Sequence, residues 1–361
     1  MKTNKLISFL ALGIVALEFS SCKNSNQDFP DYDGGTIAYF AYQYPIRTLI
    51  LGDVETYDNT SDNEGRFTIY ATSGGSYNGL NAKIDVNIDE SLTQNLYFED
   101  GVTKVKPMPK DYYEVSGSVL DYAGGFRGGV EIKLKDAFFN DTLSVKNTYV
   151  IPMVMGANFS GVDQIKRGTP IVDGTSPLRQ NQGEWDVLPA DYTVFCVNYI
   201  NEYTATYLRR GVDNFDQMQL SDSGTALGYE QVTEFRHNKF IEKDEVVYTK
   251  SLSRNKVLLP ISTTEIAAKN SPCELILTFD ANGNCTIESN TVGCTAKGTG
   301  HYSKGTAIKA WGNKDRDELI LDYTLDFATD NVHYATKDTL VWRDRGAAAG
   351  IQTFKPVYKE D

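Results

Sequence analysis

The stretch ELILTF (274–279), DANG (280–283), NCTIES (284–289) decides the fold class. Asn282-Gly283 supplies the positive-φ backbone of a tight hairpin turn, and apolar residues alternate with polar ones on either side of it. A period of two means that each strand buries one face and wets the other. The chain is read outward from this hairpin as an all-β protein.

The same period recurs toward the N-terminus. Phe67, Ile69 and Ala71 alternate with Thr68 and Tyr70; Ile84, Val86 and Ile88 with Asp85, Asn87 and Asp89; Val130, Ile132 and Leu134 with Glu131, Lys133 and Lys135. Ser73-Gly74-Gly75, Asp100-Gly101 and Gly124-Gly125 punctuate them as turns. Residues 36–160 are therefore expected to form an Ig-like β-sandwich, ending on YVIPMVM (149–155) with Pro152 marking an edge or a bulge. Residues 161–184 lose the alternation and gain Gly, Pro and Asn, which places a linker there and a domain boundary near 175. Residues 185–361 read as a second β-rich domain, an antiparallel β-barrel or a second sandwich. Its longest strand is DELILDYTLDF (317–327), after a turn at 313–316. A helix over 198–210 competes there with Thr204, Thr206 and the aromatics Tyr199, Tyr203 and Tyr207. Thirty Gly, 22 Tyr and 17 Phe fit strands and turns better than helices.

Lys2 and Lys5 precede an apolar run at 6–17, and Ser20-Ser21-Cys22 follows. Twelve residues reach roughly 18 Å as a helix, short of a bilayer core of about 30 Å, so residues 1–21 are expected to be a signal peptide. The small residues before Cys22 predict lipidation of its thiol, with Glu18 and Phe19 departing from the preferred residues of such a site. Residues 22–35 (CKNSNQDFPDYDGG) then read as a flexible tether, and the lipid is the only expected membrane attachment. Cleavage would remove two lysines and one glutamate, taking the net charge from −13 to −14. So acidic an exported chain argues against nucleic acid or anionic membrane surfaces as partners and suits neutral ligands.

Cys196, Cys273, Cys285 and Cys294 remain. A hairpin turning at Ser289-Asn290 would set Cys285 opposite Cys294 as a non-hydrogen-bonded pair, where Cα atoms approach to about 4.5 Å. A Cys285–Cys294 disulfide is thus expected, against the alternative of four buried small hydrophobes. Cys273, Cys285, Cys294 and His301 lack the spacing of structural zinc, and His237, His301 and His333 are solitary. Asp53, Glu55, Asp58, Asp62 and Glu64 lack the regular spacing of a calcium loop and read as solvated charge. No metal or cofactor is expected. There is no Gly-x-Ser-x-Gly elbow, and GGFRGG (124–129) has no Lys-Ser/Thr to grip phosphate. Asp322 and Asp326 share one strand face but sit about 13 Å apart at 3.3 Å per residue, too far for a retaining or inverting glycosidase pair. No catalytic residue is expected.

Aromatic side chains remain. Neutral sugars lay C–H faces on aromatic rings while Asp, Asn and Arg bond their hydroxyls. Trp311 with Asn313, Asp315 and Arg316 has that mixture, as does Trp342 with Arg343 and Asp344; Trp185 stands beside a loop. Tyr42, Tyr44, Tyr57, Tyr77, Tyr122 and Phe126 cluster near turns. The competing reading is that these rings fill cores or pin hairpins.

Residues 191–199 running into YINEY (199–203), then YLRRG (207–211), GTGHY (298–302), WGNK (311–314) and LILDYTLD (319–326) carry a resemblance. The chain resembles Bacteroidetes surface lipoproteins of glycan-utilisation loci, over most of 36–355. Their N-terminal domain of unknown function also precedes some family 18 endoglycosidases, and a C-terminal lipocalin-like barrel domain of unknown function follows. The endoglycosidases' Asp-x-x-Asp-x-Asp-x-Glu strand is absent. The resemblance implies a non-catalytic glycan-binding lipoprotein on the outer face of the outer membrane, passing oligosaccharide to an importer complex and its companion lipoproteins. The alternative is a structural or adhesive subunit without a sugar site.

Overall fold

Alternation in the sequence becomes alternation in burial. In the strand Arg66–Gly74, Phe67, Ile69 and Ala71 are buried; Ile84 and Val86 in Lys83–Ile88 and Val130, Ile132 and Leu134 in Arg127–Leu134 follow suit. The computed structural model describes residues 32–52, 65–263, 272–327, 332–345 and 352–360. Cys22 with the expected signal segment 1–21, most of the expected tether, and the acidic run from Asp53 to Glu64 lie outside the described residues.

The protein is all-β, built on two large sheets. The first runs through Gln164–Ile165, Ile37–Phe40, Arg66–Gly74, Arg127–Leu134, Val119–Asp121, Lys83–Ile88, Tyr149–Ser160, Tyr192–Tyr199, Ile46–Leu51 and Gln352–Phe354. Strands far apart on this path pack face to face. The rings of Phe67 and Phe195 stack with centroids 5.4 Å apart, so the sheet doubles over into two layers around one core.

Four expectations change here. The strand Tyr149–Ser160 is central rather than an edge, paired with both Lys83–Ile88 and Tyr192–Tyr199. Pro152 is tolerated because its ring nitrogen faces Asp89, beyond the end of the Lys83–Ile88 ladder; Pro152 O still accepts from the Asp89 N–H at 3.0 Å. The stretch 161–184 does not separate two domains. It adds Gln164–Ile165 to the first sheet, and Thr169–Pro170 pairs with Trp185–Val187. Tyr192–Tyr199, assigned to the second domain by its position after the linker, lies inside the first sheet. Seven of its eight residues are buried, so no alternation betrayed which sheet it joins. The change of sheet falls after Tyr199, and no helix spans 198–210: Thr206 opens a long strand instead.

The second sheet is antiparallel and runs Ala226–Arg236, Thr206–Leu220, Val332–Asp344, Lys314–Phe327, Cys294–Trp311, Asn284–Ser289, Pro272–Phe279, Lys256–Ser262, Lys250–Ser253. Of the two forms expected for it, barrel or second sandwich, no closed barrel is found and the unit is sandwich-like. The segment that reaches both ends is split at Thr249: Glu245–Tyr248 pairs with Thr206–Leu220, and Lys250–Ser253 pairs with Lys256–Ser262. The hairpin at 274–289 forms with a three-residue loop. Gly283 N–H donates to Asp280 O, Gly283 has φ 82°, and the Asp280 carboxylate accepts from the N–H groups of Asn282 and Asn284. The units are docked at Arg254, whose guanidinium bonds Asp136 at 2.7 Å and lies over the Phe139 ring. Buried Asn201 braces the junction by donating to Ser253 O and Lys256 O.

Inside the second unit lies a cluster of charges on faces that alternation reserves for apolar side chains. Arg209 Nε donates to Asp338 Oδ2 at 2.8 Å, and Arg236 Nη2 to Asp338 Oδ1 at 2.5 Å. Tyr323 OH donates to Asp338 Oδ2, while Arg236 Nε and Thr336 Oγ1 donate to Asp213. Gly211 leaves the room required, since a Cβ there would stand 2.3 Å from Asp338 Oδ1. Burial pushes the Asp338 carboxyl up, but the Arg209 and Arg236 charges and the hydrogen bonds from Arg236 and Tyr323 outweigh it and hold it below the usual range.

The expected Cys285–Cys294 pair is not formed. Cys285 lies opposite Gly300, where a Cβ would meet its Sγ at 2.8 Å. Cys294 lies opposite Phe327, and its Sγ is 2.7 Å from that of Cys273. The inner-face pairing of Cys285 and Ile287 with Gly300 and Gly298 sets the register, so the connection is longer than a two-residue turn. All four thiols are buried, and burial pushes those of Cys196 and Cys285 up to about 12.

Asp338→Asn leaves two buried guanidinium groups without their shared counter-charge, and we expect a loss of about 3–5 kcal/mol at pH 7 in urea unfolding. A carboxylate with a depressed folded pKa stabilises above its unfolded value and loses that contribution as pH falls through the folded one. The gap between wild type and variant should therefore narrow below about pH 4; a gap independent of pH contradicts the assignment. Diamide should take up the two thiol hydrogens of Cys273 and Cys294 and leave a disulfide, seen as a cross-linked peptide by non-reducing mass spectrometry. Cys285→Ser should not change its yield; a 285–294 cross-link restores the sequence expectation.

Candidate functional site

The hairpin that carries Trp311 is a two-residue turn. Trp311 pairs with Lys314, and Gly312 and Asn313 between them have φ 61° and 57°, the left-handed pair that a type I′ turn needs. The turn, 311–314, is thus two residues earlier than the 313–316 expected. Asn313 and Asp315 are exposed at the tip, and Asp315 Oδ1 accepts from the Lys309 N–H at 2.9 Å.

The structure brings three of the sequence-selected residues together. Arg316 sets its guanidinium carbon 4.8 Å from the centroid of Trp311 and 5.4 Å from that of Trp342. Its Nε donates to Trp311 O at 3.2 Å, which fixes the side chain against the hairpin. Both indoles are half-buried, and Trp342 also packs against the core of the second unit. A guanidinium held over two indoles is worth about 0.5–2 kcal/mol per ring, depending on its desolvation. The arrangement is a rigid aromatic surface with a fixed cation, bordered by an exposed amide and an exposed carboxylate, and it can stack a ring and bond its substituents.

The remaining expected residues lie elsewhere or turn inward on themselves. Arg343 Nε lies 3.3 Å from Asp344 Oδ2, its own neighbour. Trp185 belongs to the first unit, where its indole N–H donates to Leu178 O at 3.1 Å; it is no part of the Trp311–Trp342 group. Of the aromatics near turns, Tyr44, Tyr77 and Phe126 are exposed, whereas Tyr122 is core. Asp322 and Asp326 sit on the wet face of their strand, beside Lys337 and His333 respectively. Among the described residues no group of three His, Cys, Asp or Glu converges as a metal site.

Sequence reading missed a cavity of about 220 Å³ in the first unit. Its wall comes from chain segments far apart: Gln43 and Tyr44, then Gln180 to Gln182, then Tyr192, then Pro356 and Tyr358. Tyr192 OH donates to Arg179 O, and burial pushes its phenol pKa up. The last residues return from the second unit to close the cavity, Gln352–Phe354 pairing with Ile46–Leu51 and Val357–Tyr358 with Leu96–Tyr97. The one local signal was the amide run QNQ (180–182), which reads as linker when taken alone.

Among known proteins, one family model, the domain of unknown function DUF5627, matches residues 202–346, and another, described as an N-terminal domain, matches 31–158. No curated protein matches. A structural-genomics protein of unknown function from Bacteroides ovatus is 36% identical, with a TM-score of 0.79, over 91% of this chain and 100% of its own. A multidomain protein including DUF1735, also from Bacteroides ovatus, is 10% identical over 88% of this chain and 99% of its own, with a TM-score of 0.39. An auxiliary nutrient binding protein from Bacteroides thetaiotaomicron is 10% identical over 82% and 90%, with a TM-score of 0.33. Likenesses that remote carry no argument about this chain. The first is of another order, and on it the chain belongs to the family of the Bacteroides ovatus protein of unknown function, with a DUF5627 domain as its second unit.

Proposed function

We propose that this protein is a non-catalytic, lipid-anchored glycan-binding protein of the outer membrane surface, which captures oligosaccharide for an uptake system. The supporting observation is the convergence of Trp311, Arg316 and Trp342, with Asn313 and Asp315 exposed on the same hairpin. Indole faces take the C–H faces of sugars, and the guanidinium and exposed polar groups bond hydroxyls. Attachment through Cys22 and an outward orientation belong to the same proposal, as do an importer and companion lipoproteins as partners. The formal charge of −13 is consistent with a neutral ligand.

A second reading, a docking subunit without a sugar site, is favoured by one feature. The edge strand Ala226–Arg236 exposes Leu227, Tyr229 and Phe235 along a long hairpin.

Affinity electrophoresis in gels containing neutral polysaccharides, followed by a glycan array, tests the first reading. Retardation by at least one glycan is expected. Trp311→Ala and Trp342→Ala should each weaken it about tenfold, or about 1.4 kcal/mol, with melting temperature retained. Absence of retardation, or retardation indifferent to both substitutions, removes the reading and leaves the docking one.

A further inference from the structure

The cavity of the first unit differs from the rest of the molecule in one respect: no Lys, Arg, Asp or Glu lines it, in a chain with 35 basic and 48 acidic residues. Its polar groups are side-chain amides. Gln43 Nε2 donates to Tyr192 O at 2.9 Å and to Phe40 O, and Gln180 Nε2 donates to Ser91 O and Gln94 O at 3.2 and 3.3 Å. These bonds hold two amides in place by their nitrogens and leave the Oε1 atoms as acceptors. Gln182 adds an amide with donors and an acceptor both, and Asn181 an amide whose Nδ2 also donates to the carboxylate of Glu360, which does not itself line the cavity, at 3.4 Å. Tyr44, 47% exposed, stands at the wall, and Tyr358 is brought there by the returning C-terminal segment. Ile46 and Val194 contribute apolar surface.

A charged ligand entering this space would lose water and meet no counter-charge in the lining, and an anion would also face the nearby Glu360 carboxylate. A purely apolar one would leave the fixed amides without partners. An uncharged ring bearing several hydroxyls satisfies both conditions. Its hydroxyls donate to the held Oε1 atoms and accept from the free amide N–H groups, and its C–H face covers tyrosine and aliphatic surface. The volume lies below the roughly 300 Å³ of a drug-sized pocket, so a single ring fits rather than a chain of them. We propose that this cavity binds one neutral sugar unit, separately from the tryptophans of the second unit. The choice of sugar over other polyols rests on the glycan reading above; the requirement for an uncharged hydroxylated ring does not.

The test is saturation-transfer NMR on the full chain with the methyl glycosides of glucose, galactose, mannose and N-acetylglucosamine, and with methyl glucuronoside as the charged counterpart. At least one neutral glycoside should bind and the glucuronoside should not. Tyr44→Ala and Gln182→Ala alter side chains that are exposed or half-buried and make no hydrogen bond among the described residues, so the melting temperature should hold. Each should weaken binding about tenfold, and by the same factor in a Trp311→Ala/Trp342→Ala background that removes the indoles of the second unit. No signal from any neutral glycoside overturns the proposal, as does a signal indifferent to Tyr44→Ala and Gln182→Ala, or preference for the glucuronoside. Signal lost only in the Trp311→Ala/Trp342→Ala background places the sugar at the tryptophans, which sustains the earlier reading and overturns this one.

Discussion

One carboxylate gripped by two guanidinium groups governs the second unit. Asp338 sits on the inner face of Val332–Asp344, Arg209 on that of Thr206–Leu220, and Arg236 reaches in from Ala226–Arg236. Any one of these charges alone in the core would cost several kcal/mol. Together they are tolerated only at one register. Sliding a strand by a single residue turns its inner face outward and parts the cluster, so polar pairing and hydrophobic pairing select the same alignment. Gly211 belongs to this constraint, because only the absence of a Cβ lets Asp338 approach.

With that register set, the hairpins at the strand ends are set too. Trp311 is carried to its turn by the long ladder between Cys294–Trp311 and Lys314–Phe327, and Trp342 by the strand that bears Asp338. Arg316 joins the two indoles because neighbouring strands bring its side chain between them. The first unit reaches its cavity by another route, through the chain's own crossing. The backbone leaves the first sheet after Tyr199, builds the second, and comes back at Gln352–Phe354 to supply a wall.

These two surfaces differ in kind. The tryptophan surface is half-buried and carries a cation, suited to stacking a ligand along a hairpin. The cavity is small, partly open and without a charged side chain in its lining, suited to one ring. Their placement in different units means that each is tested without disturbing the other, and that a ligand met by one need not be held by both.

Strand and turn signals in the sequence were enough for the all-β class and for the inner faces at Phe67, Ile84 and Val130, because these follow from local periodicity; residue chemistry singled out Trp311, Arg316 and Trp342 as candidates, and the fold brings them together. Four things needed the tertiary structure. Tyr192–Tyr199 is buried on both faces and carries no period that names its sheet. Cys294 meets Cys273 because burial of Cys285 against Gly300 sets a register that turn counting missed. Arg209, Asp213 and Asp338 break the apolar face of their strands, and what compensates them arrives only from other strands. Finally, the amide cavity is assembled from segments more than three hundred residues apart, from Gln43 to Tyr358. Local physics chooses strands and faces; which strands become neighbours is a non-local choice, made by the pairing of buried groups that the sequence keeps far apart.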